Sequence, residues 1–433
     1  MNTPGAESIV VACPDARPPA YQAVIGLHRA GMLKRFLTAY YYRERPALAA
    51  VGQRLAPGSF SRIDRALRRR HDPAIPADRV RSAWSYDVAV RVEGRLAGRR
   101  PEVRRELARW RTRRFDRVFA REIERTRPGA VLAFSDVGSR EALPLCRERG
   151  VPVVLSMVHG DVREERAVLD REAEASPEFF RLYLGDGALD RGELDWLHER
   201  RLAELELADL ILVPSESIAS ALARHGTPRE RLRVIPYAAD SRRFRPDPAR
   251  SQGPGCTFLF AGGVCQRKGI RYLLDAWRLV RRRGWKLQLL GSLPRDPGPL
   301  GPYLDEIEPL GRVGHSEVPK VMAAADVFVF PSLFEGSAVV TYEALACGLP
   351  SVVTPSAGSV VRDGVEGFLV PPADVEALAA RMERLGTDLE LRAEMSAAAR
   401  ARAEAFDWPR YHSAVVEAVS SLTPKLGGWR DGG

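Results

Sequence analysis

Short, unbroken apolar runs alternate with longer amphipathic stretches along most of the chain. Residues 327–330 form one such run, whose β-branched and aromatic members are typical of a parallel strand buried on both faces. Pro331 ends the run, turn-forming residues follow, and residues 339–346 carry helix formers up to a stop signal at Gly348. Because this strand, loop and helix pattern recurs at short intervals, the sequence predicts an α/β fold with doubly wound parallel sheets.

Further elements follow from the same pattern. An amphipathic helix is predicted within residues 101–127, where apolar residues recur at helical spacing among many arginines. Helices are also expected at 18–31 and 140–149, and Asp374 has the character of a helix start. Apolar runs predict strands at 9–12, 36–41, 130–134, 151–158, 210–213, 234–236, 257–261 and 286–290. A further strand is expected at 312–314, after a stretch rich in proline and glycine.

The length of the chain, 433 residues, exceeds what a single hydrophobic core usually organises, so two domains are expected. A stretch at 246–255, rich in proline, glycine and polar residues, is typical of an interdomain linker. The sequence therefore predicts an N-terminal domain at 1–245 and a C-terminal domain at 256–405.

The chain is basic, with a formal net charge of +10 and a sequence pI near 9.6. Nucleic acid, an anionic membrane and a phosphorylated substrate are all suitable partners for such a charge. Arginines are dense between residues 54 and 127, as expected either of a solvated face over a packed core or of a surface for anionic lipid headgroups or a lipid-diphosphate acceptor. No interleaving of aromatic and basic residues typical of an RNA or DNA module is present, so nucleic acid is the poorer explanation.

The cysteines and the N-terminal residues indicate in which cellular compartment the protein is expected. The five cysteines, at positions 13, 146, 256, 265 and 347, form no C-x-x-C pair, and we interpret them as reduced thiols in or near the core. The sequence has no secretory signal pattern and no stretch of about 18 apolar residues that could span a bilayer. We therefore expect a cytoplasmic protein, with any membrane contact peripheral and at the inner face.

The loop after residues 327–330 carries the candidate chemistry. Ligands of open α/β sheets bind outside the carboxyl ends of the strands, where the next helix points its free amides at them. Glu335 lies in this loop and Glu343 lies one turn into the helix, eight positions later. Amides near Ser337, Ala338 and Val339 suit a phosphate, whereas each carboxylate suits a sugar diol. The combination predicts a ligand that carries both phosphate and hydroxyl groups.

The sequence around these carboxylates resembles a known family. The run ADVFVFPSLFEG at 325–336, the E-x7-E spacing of Glu335 and Glu343, and the run EALACGLPSVVT at 343–354 resemble the signature of the retaining nucleotide-sugar glycosyltransferases of the GT-B fold, known as group 1 or family 4. The resemblance implies two doubly wound Rossmann-like domains that face each other across a cleft. It also implies transfer of a hexose from a nucleotide-diphosphate sugar to a glycan or lipid-linked acceptor, with retention of anomeric configuration.

The resemblance assigns the donor diphosphate to a second stretch of the chain. Lys268 matches the lysine of the family's Lys-Gly dipeptide, which pairs with the diphosphate. Gly263 stands where many members carry an arginine, and Arg267 is a candidate to replace that charge. The remaining donor-binding candidates are backbone groups at the helix start, in Gly336, Ser337, Ala338 and Val339.

The resemblance also implies roles around the sugar. Glu343 would hold the ribose diol and Glu335 the hexose hydroxyls, while Arg312 and the residues after it would contact the nucleobase. His159 matches a histidine near the transferred sugar, so Glu335 and His159 are the catalytic candidates. The family usually has Phe-Gly where this chain has Ser337 and Ala338, so the sugar pocket is expected to differ.

The N-terminal domain is then the expected acceptor-binding domain, and residues 406–424 resemble the family's terminal helix, which returns to it. Residues 425–433 are expected to be a flexible tail. No acid pair of the D-x-D type and no His/Cys cluster is evident, so no metal or other cofactor is expected. Two alternatives stay open: an epimerase or phosphorylase of the same fold, and a non-catalytic basic module that binds anionic polymers.

Overall fold

The computed structural model describes residues 8–15, 18–43, 67–68, 70–96, 100–184, 191–247 and 255–422. Its strands form two parallel sheets. In chain order the strands are β1 Ile9–Ala12, β2 Leu33–Thr38, β3 Val80–Ser82, β4 Ala130–Phe134, β5 Val153–Ser156, β6 Leu210–Val213, β7 Leu232–Val234, β8 Cys256–Ala261, β9 Trp285–Leu290, β10 Glu308–Gly311, β11 Val327–Phe330, β12 Ser351–Val353 and β13 Gly367–Leu369. The first sheet has the order β3-β2-β1-β4-β5-β6-β7, and the second has the order β10-β9-β8-β11-β12-β13.

Helices connect almost all of these strands, as parallel pairing requires. The α-helices are α1 Pro18–Arg29, α2 Trp84–Leu96, α3 Pro101–Thr126, α4 Ala142–Arg149, α5 Val162–Ala175, α6 Pro177–Phe180, α7 Arg191–Leu207, α8 Glu216–Arg224, α9 Ile270–Val280, α10 Val318–Ala324, α11 Val339–Ala346, α12 Val375–Thr387, α13 Leu389–Glu404 and α14 Trp408–Ser420. Short 3-10 helices lie at Ala77–Arg79, Arg229–Arg231, Gln266–Lys268, Gly298–Glu306 and Pro355–Ala357. The predicted α/β class with doubly wound parallel sheets is confirmed.

The apolar runs become the cores of the two sheets. All four side chains of β11 are fully buried, and the Phe330 ring stacks on Phe260 of β8 with 5.6 Å between centroids. The strand order reverses direction between β8 and β11, where chain connections leave to opposite sides and a crevice opens at the carboxyl ends. The predicted strand at 327–330 and the helix at 339–346 are both confirmed.

Edge strands were predicted less well. The strand expected at 312–314 is wrong, because the chain forms β10 earlier, at Glu308–Gly311. This edge strand reads EPLG and is only partly buried, so it leaves no apolar run to detect. The other edge strand, predicted at 234–236, is β7 at Leu232–Val234 and overlaps the prediction only at Val234. The interior strand predicted at 36–41 is β2 at Leu33–Thr38. Both lie earlier than predicted because charged residues interrupt their first positions.

Contacts between residues divide the chain into two compact units. One comprises residues 1–157, 192–212 and 412–433, and the other comprises 158–191 and 213–411. Residues 158–191 and 213–245 were expected in the N-terminal domain but group with the second unit. One reason is that Leu182 and Tyr183 accept hydrogen bonds from the amides of Gln266 and Arg267, at 2.9 and 3.2 Å.

Two other boundary predictions meet the edges of the described ranges. Most of the predicted linker, and the predicted tail at 425–433, lie outside the described residues. The terminal helix α14 joins the first unit from His412 onward, where His412 Nε2 lies 2.7 Å from Gln22 Oε1.

All five cysteines are buried and unbridged, which confirms the interpretation of them as core thiols. Within the described ranges, none of the helices has both the length and the apolar character needed to cross a bilayer.

Candidate functional site

A pocket of about 570 Å³ opens at the carboxyl ends of the second sheet, at the point where the strand order reverses. Loops that follow β8, β9, β10 and β11 form it, together with the first turns of α10 and α11. Its lining consists of Ala261, Gly262, Gly263, Lys268, Leu290, Gly291, Ser292, Gly311, Arg312, Val313, His315, Val318, Met322, Glu335, Ser337, Ala338, Val339, Val340 and Glu343. Most of the site residues predicted from the sequence therefore meet in one pocket.

Glycines shape the floor of the pocket. Gly262 has φ +138°, and a Cβ added there would lie 2.5 Å from Lys268 Nζ. Gly291 has φ +150°, and its added Cβ would lie 1.9 Å from the Gly262 carbonyl oxygen. These two positions therefore require glycine. Gly263 differs, because the nearest atom to its added Cβ is Ser292 Oγ at 3.8 Å, which leaves room for a side chain.

Lys268 supplies a cation to the pocket. It ends the short helix Gln266–Lys268, and Gly269 then turns the chain with φ +71° into α9. The Lys268 ammonium lies 5.3 Å from the centroid of the Phe330 ring, at the end of β11. The Phe330 ring stabilises the ammonium by a cation–π contact while the pocket keeps it accessible.

Helix α11 points its N-terminus at the same pocket. The Ala338 amide donates to the Ala357 carbonyl at 3.0 Å and the Thr341 amide donates to the Ala338 carbonyl at 2.9 Å. Between them, the amides of Val339 and Val340 have no hydrogen-bond partner among the described residues. Free first-turn amides and the positive end of the helix dipole favour an anion there.

Two carboxyl groups face this anion site. The Glu335 side chain is 15% exposed; its Oε2 lies 2.9 Å from Arg267 Nη1, whereas its Oε1 is buried without a hydrogen-bond partner. Burial raises the pKa of Glu343 to about 7, and the nearby Arg243 guanidinium limits that rise. Both groups can therefore accept hydrogen bonds from ligand hydroxyls, Glu343 once it is ionised.

Arg267 lies outside the pocket lining, although the sequence suggested it as a second diphosphate cation. Its guanidinium pairs with Glu335 and also donates to the Phe334 carbonyl at 2.9 Å. Burial alone lowers the pKa of Arg267, but the Glu335 carboxylate more than reverses this, so the pKa is raised.

His159 and Gly336 meet through the backbone. A Cβ added at Gly336 would lie 2.2 Å from the Val158 carbonyl oxygen and 3.1 Å from the His159 amide nitrogen. One added at Gly160 would lie 2.6 Å from the Phe334 ring. Residues 158–160 therefore pack on the loop that carries Glu335, while the half-buried His159 side chain is not among the lining residues.

Two family models match different parts of the chain and together cover most of its length. The model described as "Glycosyl transferases group 1" matches residues 255–388, which contain the pocket, and the model described as "Glycosyltransferase Family 4" matches residues 60–243. The chain belongs to the group 1 glycosyltransferases. The resemblance of the E-x7-E stretch to the group 1 glycosyltransferases is thereby confirmed.

Curated relatives of this group 1 glycosyltransferase are themselves named as glycosyltransferases. A putative colanic acid biosynthesis glycosyltransferase, WcaL of Escherichia coli K12, is 31% identical over 198 residues, which cover 42% of this chain and 49% of WcaL. The D-inositol 3-phosphate glycosyltransferase of Pseudarthrobacter chlorophenolicus is 31% identical over 271 residues, which cover 55% of this chain and 64% of that protein. The chain thus spans about half to two thirds of the length of these relatives.

Solved structures establish the fold of this family member. Sucrose-phosphate synthase from Thermosynechococcus elongatus superposes with a TM-score of 0.68 at 20% identity, over 96% of this chain and 99% of that one. Anabaena HepE in complex with UDP and glucose superposes with a TM-score of 0.59 at 16% identity, also over 96% and 99%. The fold is the two-domain GT-B fold.

Sequence reasoning missed several residues of the site. Leu290, Gly291 and Ser292 could have been found, because they end or directly follow the strand predicted at 286–290. Arg243 could not, because it lies in an arginine-rich stretch about 100 positions before Glu343, and it reaches the site by donating to the His315 carbonyl. In the part of the chain that the structure describes, no cluster of three or more His, Cys, Asp or Glu side chains could hold a metal ion.

Proposed function

We propose that the protein transfers a hexose from a nucleoside-diphosphate sugar to a glycan or lipid-linked glycan, with retention of anomeric configuration and without a metal ion. One observation carries the proposal: a cation, free helix-start amides and two carboxyl groups share a single pocket. A site for a simple anion would gain nothing from the carboxylates. A ligand that is anionic in the middle and rich in hydroxyls at both ends uses every group.

The diphosphate is assigned to the cationic side of the pocket. Lys268 and the amides of Val339 and Val340 would hold its oxygens, and the glycines at 262 and 291 let the backbone approach closely. Charge accumulates on the diphosphate as it leaves, so these preorganised groups stabilise the transition state more than the bound donor. The groups that bind the diphosphate thus also stabilise it as the leaving group.

The two carboxylates are assigned to the two sugars of the donor. Glu343 would accept hydrogen bonds from the ribose diol, and Glu335 Oε1 would accept one from a hexose hydroxyl. An unpaired buried carboxylate oxygen is unfavourable by about 1–3 kcal/mol, and the hexose hydroxyl would remove that cost. Arg312 and the residues after it, at the end of β10, are assigned to the nucleobase.

Transfer with retention needs little further machinery. The bond between the anomeric carbon and the phosphate oxygen breaks, the bond to the acceptor oxygen forms on the same face, and the acceptor proton passes to the departing phosphate oxygen. His159, whose backbone packs on the Glu335 loop, is assigned to the transferred sugar. His159→Ala should therefore lower turnover more than it lowers nucleotide affinity.

The test begins with calorimetric titration of UDP, GDP and ADP and of their glucose and mannose conjugates, with and without EDTA. We expect one nucleotide to bind, its sugar conjugate to bind as well, and Glu335→Gln to lower turnover more than threefold. The anomeric configuration of the product, read by NMR, tests retention. Binding of polyanions without any sugar nucleotide would instead favour the basic binding module, and a product formed without acceptor would favour an epimerase.

A further inference from the structure

We propose that Arg267 is a positioning residue that clamps the Glu335 carboxylate, so that one oxygen is fixed and the other is presented to the transferred sugar. The inference deepens the proposed function and rests on it. It separates two adjacent cations, Arg267 and Lys268, into different tasks.

The Arg267 side chain is bound to the loop that carries Glu335. Its Nη1 lies 2.9 Å from Glu335 Oε2 and also 2.9 Å from the Phe334 carbonyl oxygen. A guanidinium that bridges a backbone carbonyl and the next side chain restricts the rotation of that side chain. Glu335 is therefore held in one orientation with one oxygen already used.

The Arg267 backbone is also fixed to that loop. Its carbonyl accepts a hydrogen bond from the Leu333 amide at 2.9 Å and one from Ser332 Oγ at 3.2 Å. Its amide donates to the Tyr183 carbonyl at 3.2 Å. Since both ends of the residue are anchored, movement of the guanidinium relative to Glu335 is small.

The neighbouring residue strengthens this anchor. Gln266 is fully buried, and its side-chain amide donates to the Glu172 carboxylate at 2.5 Å while its backbone amide donates to the Leu182 carbonyl at 2.9 Å. Helix α5 and the segment after it therefore hold the turn at 266–268 in place. Preorganisation of this kind improves a site because binding does not have to order it.

The clamp engages only one of the two oxygens of the Glu335 carboxylate. Glu335 Oε1 is buried and has no hydrogen-bond partner, while Oε2 is paired with Arg267. Glu335 lines the pocket and Arg267 does not. Arg267 should therefore affect the sugar half of the donor through Glu335, whereas Lys268 should affect the diphosphate.

The test compares the nucleoside diphosphate with its sugar conjugate in Arg267→Ala, Arg267→Lys and Lys268→Ala, using the tightest of UDP, GDP and ADP. We expect Arg267→Ala to leave the nucleoside diphosphate Kd within about twofold and to lower kcat at least about tenfold. Arg267→Lys, which keeps one donor and the charge, should recover part of kcat and guards against a folding failure of the alanine variant. Lys268→Ala should raise the Kd of the nucleoside diphosphate itself.

A double-mutant cycle completes the test. In a Glu335→Gln background, Arg267→Ala should lower kcat by less than about threefold, because its effect acts through Glu335. Full additivity overturns the inference, and so does a loss of nucleoside diphosphate affinity in Arg267→Ala as large as in Lys268→Ala. If the wild type binds no nucleotide and no sugar nucleotide, the proposed function itself fails. If the wild type binds and transfers the sugar but the two substitutions are fully additive, only the role of Arg267 is overturned.

Discussion

Glu343 gives the sharpest quantitative prediction, since its environment makes ionisation unfavourable before any ligand arrives. Burial raises its pKa from 4.5 to about 7, and this difference corresponds to about 3 kcal/mol of folding free energy. Because the folded pKa is the higher one, the folded state keeps its proton where the unfolded chain has lost it. This contribution to stability is complete below about pH 4.5 and is lost as the pH rises through about 7.

The perturbation is Glu343→Gln, which keeps the shape and removes the titration. Between pH 5 and 8 the wild type should lose up to about 3 kcal/mol of stability relative to the variant, read from urea unfolding of both proteins at each pH. Glu394→Gln, at an exposed position of α13, is the matched control and should follow the wild type. A constant difference between wild type and Glu343→Gln across this range would refute the reasoning.

The same carboxyl should make donor binding depend on pH. If the ribose diol needs the carboxylate form, affinity for a sugar nucleotide should rise about tenfold from pH 6 to pH 8, as the ionised fraction rises around a pKa of about 7. A sugar nucleotide suits this titration because its diphosphate diester does not change charge in that range. In Glu343→Gln the affinity should be lower and independent of pH; an unchanged pH slope would show that another group is responsible.

Three further predictions follow from the geometry. Lys268→Ala should weaken nucleoside diphosphate binding by about 10- to 100-fold in calorimetry, without affecting the free nucleoside, since a charge-assisted hydrogen bond contributes about 1.5–3 kcal/mol. Gly336→Ala should destabilise the protein by about 1–3 kcal/mol because its Cβ would meet backbone atoms, whereas Gly301→Ala, with nothing within 4 Å, should be neutral in thermal unfolding. Trp84 is 67% exposed and begins an apolar stripe on α2 that continues with Val88 and Val92. If this basic region contacts an anionic membrane, Trp84→Ser should lower binding to anionic vesicles about tenfold in sedimentation assays. Equal binding of wild type and variant would argue against membrane contact by this stripe.

The local elements of the site could be predicted because their causes are local. The strand at 327–330 needs only its own apolar side chains to be recognised, and the helix after it needs only its formers and its stop signal. Glu335 and Glu343 are placed by that strand and helix, so their spacing already predicted a ligand with hydroxyl groups. The match of Lys268 to a family motif added a cation that would pair with the phosphate groups of this ligand.

Tertiary packing decided which groups share the pocket. Arg267 and Lys268 are adjacent in sequence, yet one pairs with Glu335 and the other lines the pocket, and only contacts across 68 positions of chain distinguish them. In the same way, the Ala338 amide is already bonded to the Ala357 carbonyl, so the free amides in the first turn of α11 are those of Val339 and Val340.

The sequence pattern therefore determined the α/β class, the two sheets and the position of the two carboxylates, because a buried strand or helix face requires apolar residues at regular spacing. Three features had no such local pattern: the edge strand β10, the packing of residues 158–191 within the second unit, and the approach of Arg243 to Glu343. Each depends on surfaces that meet only after the chain has folded. The physical reason is that a residue's own neighbours set its propensity, whereas distant residues set its partner.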